Sequence, residues 1–143
     1  VVLSGAGEGT PSKYDQVPNG CWAACIAGLT GIPHETLAAL VPSEIPDDTS
    51  AYRQAGLAYH NAMNATLAEH GWTLTYLGTR VPAGFAIGNG KSPRGVMHSV
   101  IVKDGVLWHD PHPSRAGCTI TDYEYALPLA LLEGAQDTQT EGR

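Results

Sequence analysis

Cys21 stands at the start of a predicted helix, where a thiol can serve as a nucleophile. The stretch QVPNGCWAACIAGLTGI, residues 16 to 32, places a short Pro/Asn/Gly turn directly before an apolar run. The first turn of a helix has unpaired backbone N–H groups and the positive end of the helix dipole, and both favour the thiolate. The alternative is a small buried hydrophobe, which is the ordinary role of a free cysteine. Cys25, one turn later, is predicted to pack, and Cys118 has no motif around it.

A thiol nucleophile needs a base and a group that orients the base, and residues 97–114 offer both as His98 and Asp110. A three-residue loop at 103–105 would pair Val102 with Val106 and set His98 across from Asp110 on one face. A two-residue Asp-Gly turn would instead direct them to opposite faces. In the first register, the face that packs on the first helix would also carry Val100, Val102, Val106 and Trp108.

Residues near these three could bind the substrate. The side-chain amide of Gln16 could join the Cys21 backbone N–H in stabilising the oxyanion that forms when a thiolate adds to a carbonyl. Trp22, next to the nucleophile, is predicted to contact the substrate. Lys91 and Arg94, in a Gly-rich stretch, could meet a substrate carboxylate, although they also fit a solvated surface loop.

Two other functions remain open at this point. One is a metal-dependent hydrolase that uses His98, His109, Asp110 and His112, although their spacing is not a familiar ligand pattern and Cys21 would have no role. The other is a non-enzymatic binding module on the same fold. The cysteine interpretation requires no cofactor and no metal.

Composition limits the class of protein. The 143 residues are 43% hydrophobic and 15% charged, which is typical of one globular domain. A net charge of -6 with eight Lys and Arg argues against a nucleic-acid partner. No apolar stretch approaches the ~20 residues that cross a bilayer, so no membrane partner is expected. Three cysteines, an odd number, and an N-terminal sequence without a signal-peptide pattern favour the cytoplasm.

Apolar periodicity and turn residues predict helices first and strands afterwards. The helices are expected at 21–31, 33–41 and 50–69, and the strands at 72–78, 84–88, 96–102, 106–110 and 118–127. This segregation predicts an α+β domain over 1–143, with N-terminal helices packed on a C-terminal antiparallel sheet. Residues 1–12 are expected to form an arm, with a short edge strand at 1–3, and residues 134–143 a loose tail.

In their order along the chain, Gln16, Cys21-Trp22, His98 and Asp110 resemble the papain-like cysteine peptidases, and most closely the compact bacteriocin-leader (double-glycine) peptidases. The resemblance covers residues 16–113 and implies a papain-like fold and a Cys-His-Asp triad with a glutamine at the oxyanion hole. It also implies acyl transfer on a peptide, a protein or a small amide. The phrase SPRGVMHSVIVKDG is similar, in addition, to small bacterial and phage proteins of unassigned function.

Overall fold

The computed structural model of the chain describes residues 9–44 and 49–132. The strand expected at 1–3 and the tail expected at 134–143 lie outside these ranges. Within them, no helix combines the length and the apolar character that crossing a membrane requires.

Three helices precede the sheet, as the sequence predicts. α1 spans Cys21–Thr30, starts after a turn in which Asn19 has a φ of 65°, and ends at Gly31 with a φ of 78°. Both values lie in the left-handed region, which Asn tolerates and Gly adopts freely. The other helices are α2, His34–Ala38, and α3, Thr49–Glu69. α2 is shorter than predicted because the chain continues to Val41 in tighter turns with bonds over three residues.

Within the described residues, five strands form one antiparallel sheet, which confirms the predicted α+β class. The strands are β1, Trp72–Gly78; β2, Phe85–Lys91; β3, Met97–Lys103; β4, Val106–His109; and β5, Thr119–Pro128. In spatial order the sheet reads β1-β5-β2-β3-β4, so β5 is inserted between β1 and β2. Every neighbouring pair is antiparallel.

The β3–β4 hairpin corrects the predicted register. Lys103 pairs with Val106, so the loop is the two-residue turn Asp104-Gly105, with φ of 51° and 82°, and not the expected three-residue loop. Two consecutive positive φ values match the twist of a tight hairpin. A bulge follows at Trp108, because Ile101 pairs with His109 and not with Trp108. The extra residue in β4 returns Asp110 to the same side of the hairpin as the even-numbered residues of β3. The shorter turn and the bulge therefore compensate each other, and Asp110 still shares a side with His98 as predicted.

The same shift reverses the face of the hairpin that packs on α1. Ile101, with Ile87 of β2, belongs to the core that includes the buried side of α1, and Trp108 packs at its margin. Val100 and Val102 belong to a second core on the opposite side of the sheet, with Tyr125 and Leu127. Val106 is exposed. The prediction that the valines cover α1 was therefore wrong.

Candidate active site

Cys21 is the first residue of α1 and is partly buried at the edge of an open cavity of about 420 Å³. The turn before it is closed by a bond from the Gly20 N–H to the Val17 carbonyl, 2.8 Å, which sets the direction in which α1 begins. The rest of the helix is apolar and packs on the sheet, so it fixes the position of its first residue. The sulfur is therefore held rigidly and remains accessible.

His98, near the start of β3, connects this sulfur to Asp110. Its side chain is hydrogen-bonded to the Cys21 thiol. Its Nε2 lies 2.6 Å from Asp110 Oδ1, and both residues are buried. Because Nε2 is occupied by the carboxylate, Nδ1 is the ring nitrogen that remains for the thiol. The structure thus brings together the three side chains that the sequence singled out.

Asp110 is held as an ionised acceptor by the loop that follows β4. Its Oδ1 also accepts from the His112 N–H at 2.8 Å, and its Oδ2 accepts from the Gly117 N–H at 2.7 Å. Arg115 donates to the Asp110 carbonyl at 2.8 Å and closes the loop. The lowered pKa of Asp110 favours the ionised carboxylate, which can only accept, so Nε2 of His98 is the donor in their hydrogen bond.

The pKa values of the three groups shift in the directions expected for an ion pair. Burial would raise the pKa of the Cys21 thiol, but hydrogen bonds from His98 and the Ser99 N–H, with the charge of His98, lower it. Burial opposes the charged form of His98, but its bonds to Cys21 and Asp110 raise its pKa. Burial of Asp110 is likewise outweighed by its three hydrogen bonds, and its pKa is lowered. The pair is therefore disposed towards thiolate and imidazolium.

Gln16 lies beside the loop that follows β4 and holds Asp110. Its backbone N–H donates to the carbonyl of Pro111 at 2.9 Å, directly after Asp110. Its side-chain Oε1 is buried and has no hydrogen-bond partner among the described residues. Rotation of the amide by 180° would present the NH₂ group at the same point. An oxyanion role for this amide stays a prediction.

The other three residues predicted to contact substrate lie in different places, and Trp22 alone of them lies in the cavity of Cys21. Trp22 lines the cavity with Cys21, donates from Nε1 to Glu124 Oε1 at 2.6 Å, and stacks on His60 with ring centroids 4.5 Å apart. Lys91 lines a separate shallow pocket. Arg94 donates to the Ser114 hydroxyl at 3.2 Å on the surface. Neither cation lines the cavity that contains Cys21.

The alternative metal ligands do not converge. His109 Nε2 donates to the Tyr14 carbonyl at 3.0 Å, and His112 Nδ1 is engaged by the Ser114 hydroxyl at 2.8 Å. In the two described stretches of the chain, no three His, Cys, Asp or Glu side chains come together as a metal-binding group. Of the four alternative ligands, His98 alone lines the cavity, and its partners are Cys21 and Asp110.

The other two cysteines differ from Cys21 although all three are free thiols. Cys25 is buried in the core around α1, which confirms the predicted packing role, and burial raises its pKa well above the ordinary value. Cys118 is partly buried behind the triad, with its sulfur 4.0 Å from the His98 carbonyl oxygen. Burial and the charge of Asp110 raise its pKa. Cys21 is thus the thiol best suited to ionise.

Sequence reasoning missed the polar floor of the cavity, which is built from three adjacent strands. Ser99 of β3 donates to Asn89 Oδ1 of β2 at 2.7 Å, and Asn89 Nδ2 donates to Asp122 Oδ1 of β5 at 3.1 Å. Glu124 lies two residues further along β5. Alternation along β5 signals that Asp122 and Glu124 share a face. The pairing of β5 with β2, which brings that face to Cys21, has no local signal.

Comparisons with protein-family models, with curated proteins and with solved structures find no match to this chain. The chemical interpretation of Cys21, His98 and Asp110 therefore depends on their own contacts.

Proposed function

We propose that the chain is a cysteine-dependent acyl-transfer enzyme of papain-like fold, most simply a thiol peptidase or amidase. The observation that carries this proposal is that His98 is hydrogen-bonded both to the Cys21 thiol and to Asp110, with its Nε2 2.6 Å from the carboxylate. A nucleophile, a base and an oriented tautomer are the three parts that such chemistry requires. The helical layer that supplies Cys21 and the antiparallel sheet that supplies His98 are consistent with the papain-like arrangement.

In the first half of the reaction, the Cys21 thiolate attacks the carbonyl carbon of the substrate. The C–S bond forms and the carbonyl oxygen takes the negative charge, which the Cys21 N–H and the Gln16 amide would stabilise. When the C–N bond breaks, the His98 imidazolium gives its Nδ1 proton to the leaving amine. The products are a thioester on Cys21, a free amine and a neutral imidazole that Asp110 keeps oriented.

In the second half, an acceptor attacks the thioester. Neutral His98 takes the proton of the acceptor at Nδ1, the C–S bond breaks, and Cys21 leaves as thiolate. Water as acceptor releases a carboxylic acid, so the net reaction is amide hydrolysis. An amine or a thiol as acceptor gives a new amide or thioester through the same site.

The shape of the site supports a peptide or protein substrate. A second cavity of about 380 Å³ shares Asn19, Tyr59 and His60 with the cavity of Cys21, so the two are neighbours along α3. Tyr52 and Leu57 line the second cavity, and both side chains are exposed. Two adjoining cavities of this size suit several residues of an extended chain better than one small amide.

Alkylation of Cys21 tests the nucleophile without knowledge of the substrate. We expect iodoacetamide to modify Cys21 faster than Cys118 in the same sample, because the pKa of the first is lowered and that of the second raised. Peptide mapping by mass spectrometry over pH 4 to 10 reports both thiols at once, so Cys118 is the internal control.

The variant His98→Ala separates the proposal from its alternatives. Without the imidazole, the pKa of Cys21 should rise and its modification should slow at neutral pH, while Cys118 is unchanged. Equal rates at the two cysteines in the wild type would contradict the proposal and favour a binding module. Chelator-sensitive hydrolysis with slow alkylation would favour a metal enzyme. A screen of peptide and amide substrates against wild type and Cys21→Ala then identifies the reaction.

A further inference from the structure

The floor of the cavity beside Cys21 carries two carboxylates, Asp122 and Glu124. They are two residues apart in β5, opposite Asn89 and Ile87 of β2, and therefore on the side of the sheet that faces α1. Both line the same cavity as the nucleophile. Any substrate that reaches Cys21 thus enters a negatively charged space.

Glu124 is held in place by neutral donors. Trp22 Nε1 donates to it at 2.6 Å, and the Asn89 side chain is a second hydrogen-bond partner. The pKa of Glu124 is raised, because burial outweighs the hydrogen bonds from Trp22 and Asn89 and the charge of His60. Trp22 is itself fixed by its stacking on His60 and by an edge contact with Tyr59, ring centroids 5.3 Å apart. The carboxylate therefore has a defined position before any substrate binds.

Among the described residues, the only basic side chains that line the cavity with these two carboxylates are the imidazoles of His60 and His98. The ion pairs found within residues 9–44 and 49–132 join His98 to Asp110 and Arg115 to Asp15, and no Lys or Arg lines the cavity. A partly buried carboxylate that lacks a counter-charge is costly, and a cationic ligand offsets that cost. Negative charge close to a thiolate also disfavours the ionised nucleophile, so such residues need another role in an active site.

We infer that the cavity selects a substrate with a positively charged group, a Lys or Arg side chain next to the bond that is cleaved, and that Glu124 and Asp122 determine this specificity. The inference rests on the proposed function, because it names the substrate of that site. A cavity of about 420 Å³ accommodates such a side chain with the adjoining peptide. The aromatic wall of Trp22, Tyr59 and Tyr76 suits the flat guanidinium group of Arg in particular.

Charged thiol reagents measure the field at Cys21 directly. A methanethiosulfonate transfers its thioalkyl group to the thiolate, so an S–S bond forms on Cys21 and methanesulfinate leaves. We would measure the rate at which Cys21 reacts with a trimethylammonium-ethyl reagent and divide it by the rate with a sulfonato-ethyl reagent. Dividing this ratio by the same ratio for β-mercaptoethanol removes the intrinsic difference in reactivity between the two reagents. The wild type should prefer the cation. A change in thiolate population affects both reagents equally and cancels from the ratio.

Variants that each remove one negative charge show which residue causes the preference for the cationic reagent. Glu124→Gln should lower the normalised ratio by roughly three- to tenfold, as expected for one unit charge in a medium between water and protein interior. Asp122→Asn should also lower the normalised ratio, and it provides the same test if Glu124→Gln does not fold. Glu69→Gln makes the same charge change on an exposed part of α3, outside the cavity, and should leave the ratio unchanged.

Protection of Cys21 from iodoacetamide gives a second readout with a matched pair of probes. N-acetyl-arginine amide should protect at a concentration at least threefold lower than N-acetyl-citrulline amide, which has a neutral group of the same shape. The difference should disappear in Glu124→Gln.

The outcomes separate this inference from the proposed function. Fast alkylation of Cys21 that requires His98, combined with no cation preference, overturns the inference alone. A cation preference that Glu124→Gln and Asp122→Asn both leave intact also overturns it. A cation preference that depends on these carboxylates, together with fast alkylation that requires His98, supports the inference. Slow alkylation of Cys21 contradicts the proposed function and, because no bond is then cleaved at this site, the inferred substrate as well.

Discussion

Replacement of Asp110 by Asn is the most informative single perturbation of the triad. The carboxylate accepts three hydrogen bonds, from His98 and His112 at Oδ1 and from Gly117 at Oδ2. An amide has one oxygen, so one of its two positions must present an NH₂ group to a donor. The less costly rotamer keeps oxygen towards His98 and His112 and sets NH₂ against the Gly117 N–H.

The expected loss of stability follows from the number of hydrogen bonds that the amide cannot accept. Asp110 is 3% exposed, so water does not replace the lost bond. One buried donor left unpaired costs about 1–3 kcal/mol, and the two remaining bonds lose their charge assistance. We expect the free energy of unfolding to fall by about 2–4 kcal/mol at neutral pH. The imidazolium also loses its counter-charge, so the pKa of His98 should fall and that of Cys21 should rise.

The dependence of this loss on pH has a defined sign. The folded pKa of Asp110 is lowered from its ordinary value of 3.8, so its stabilisation is complete above that value and is lost as the pH falls through the folded pKa. The part of the stability difference between wild type and Asp110→Asn that comes from ionisation of Asp110 should therefore be complete above about pH 5 and shrink below pH 3.8, whereas changes at neutral pH report the shifted pKa values of His98 and Cys21. Urea unfolding between pH 2 and 8 measures it, and iodoacetamide rates against pH measure the shift at Cys21.

Two results would refute this reasoning. One is a wild-type pH profile of Cys21 alkylation in Asp110→Asn, because the carboxylate would then have no effect on the ion pair. The other is a stability difference that grows as the pH falls below 3.8, the ordinary pKa of Asp110. Asp15→Asn is the control, since Asp15 is an exposed carboxylate in an ion pair with Arg115 and should cost under about 1 kcal/mol.

Two further predictions concern the oxyanion and the sheet. Gln16→Ala should lower turnover of an amide substrate by about a hundred- to a thousand-fold while the alkylation rate of Cys21 stays the same, since alkylation forms no oxyanion; an equal loss in both assays would contradict the role. Gly90→Ala should destabilise by several kcal/mol in urea unfolding, because the new Cβ would lie 1.7 Å from the Thr119 carbonyl oxygen. Gly56 lies in the middle of α3, where an added Cβ has no neighbour, so Gly56→Ala should stabilise the protein by about 0.5–1 kcal/mol. Similar values for both variants would show that the contact between residue 90 and Thr119 does not cause the destabilisation.

Local sequence patterns predicted most of the secondary structure. α1 begins at Cys21 and ends before Gly31, and α3 matches its predicted span to one residue. The strands fall where apolar runs meet turn residues, although β2 continues to Lys91 through a Gly-rich stretch that reads as a loop. Such elements are predictable because periodicity, caps and turn residues act within a few residues of one another.

The register of the β3–β4 hairpin shows where local reasoning fails. Asp104-Gly105 suits a two-residue turn and also the end of a three-residue one. The bulge at Trp108, which restores Asp110 to the same side as His98, has no sequence signal, because it depends on how Trp108 packs against Phe85 and the α1 core. The contact between His98 and Asp110 was predicted, but through a different register.

The sequence by itself determined the helix that begins on Cys21, the order of helices and strands, and the residue types able to act as nucleophile, base and orienting acid. Tertiary structure alone decided the insertion of β5 beside β2, which brings Asp122 and Glu124 to the nucleophile. Pairing between strands whose partner residues are 28 to 37 positions apart, from Lys91–Thr119 to Ile87–Glu124, depends on the burial of both faces of the sheet, and no short stretch of sequence encodes it.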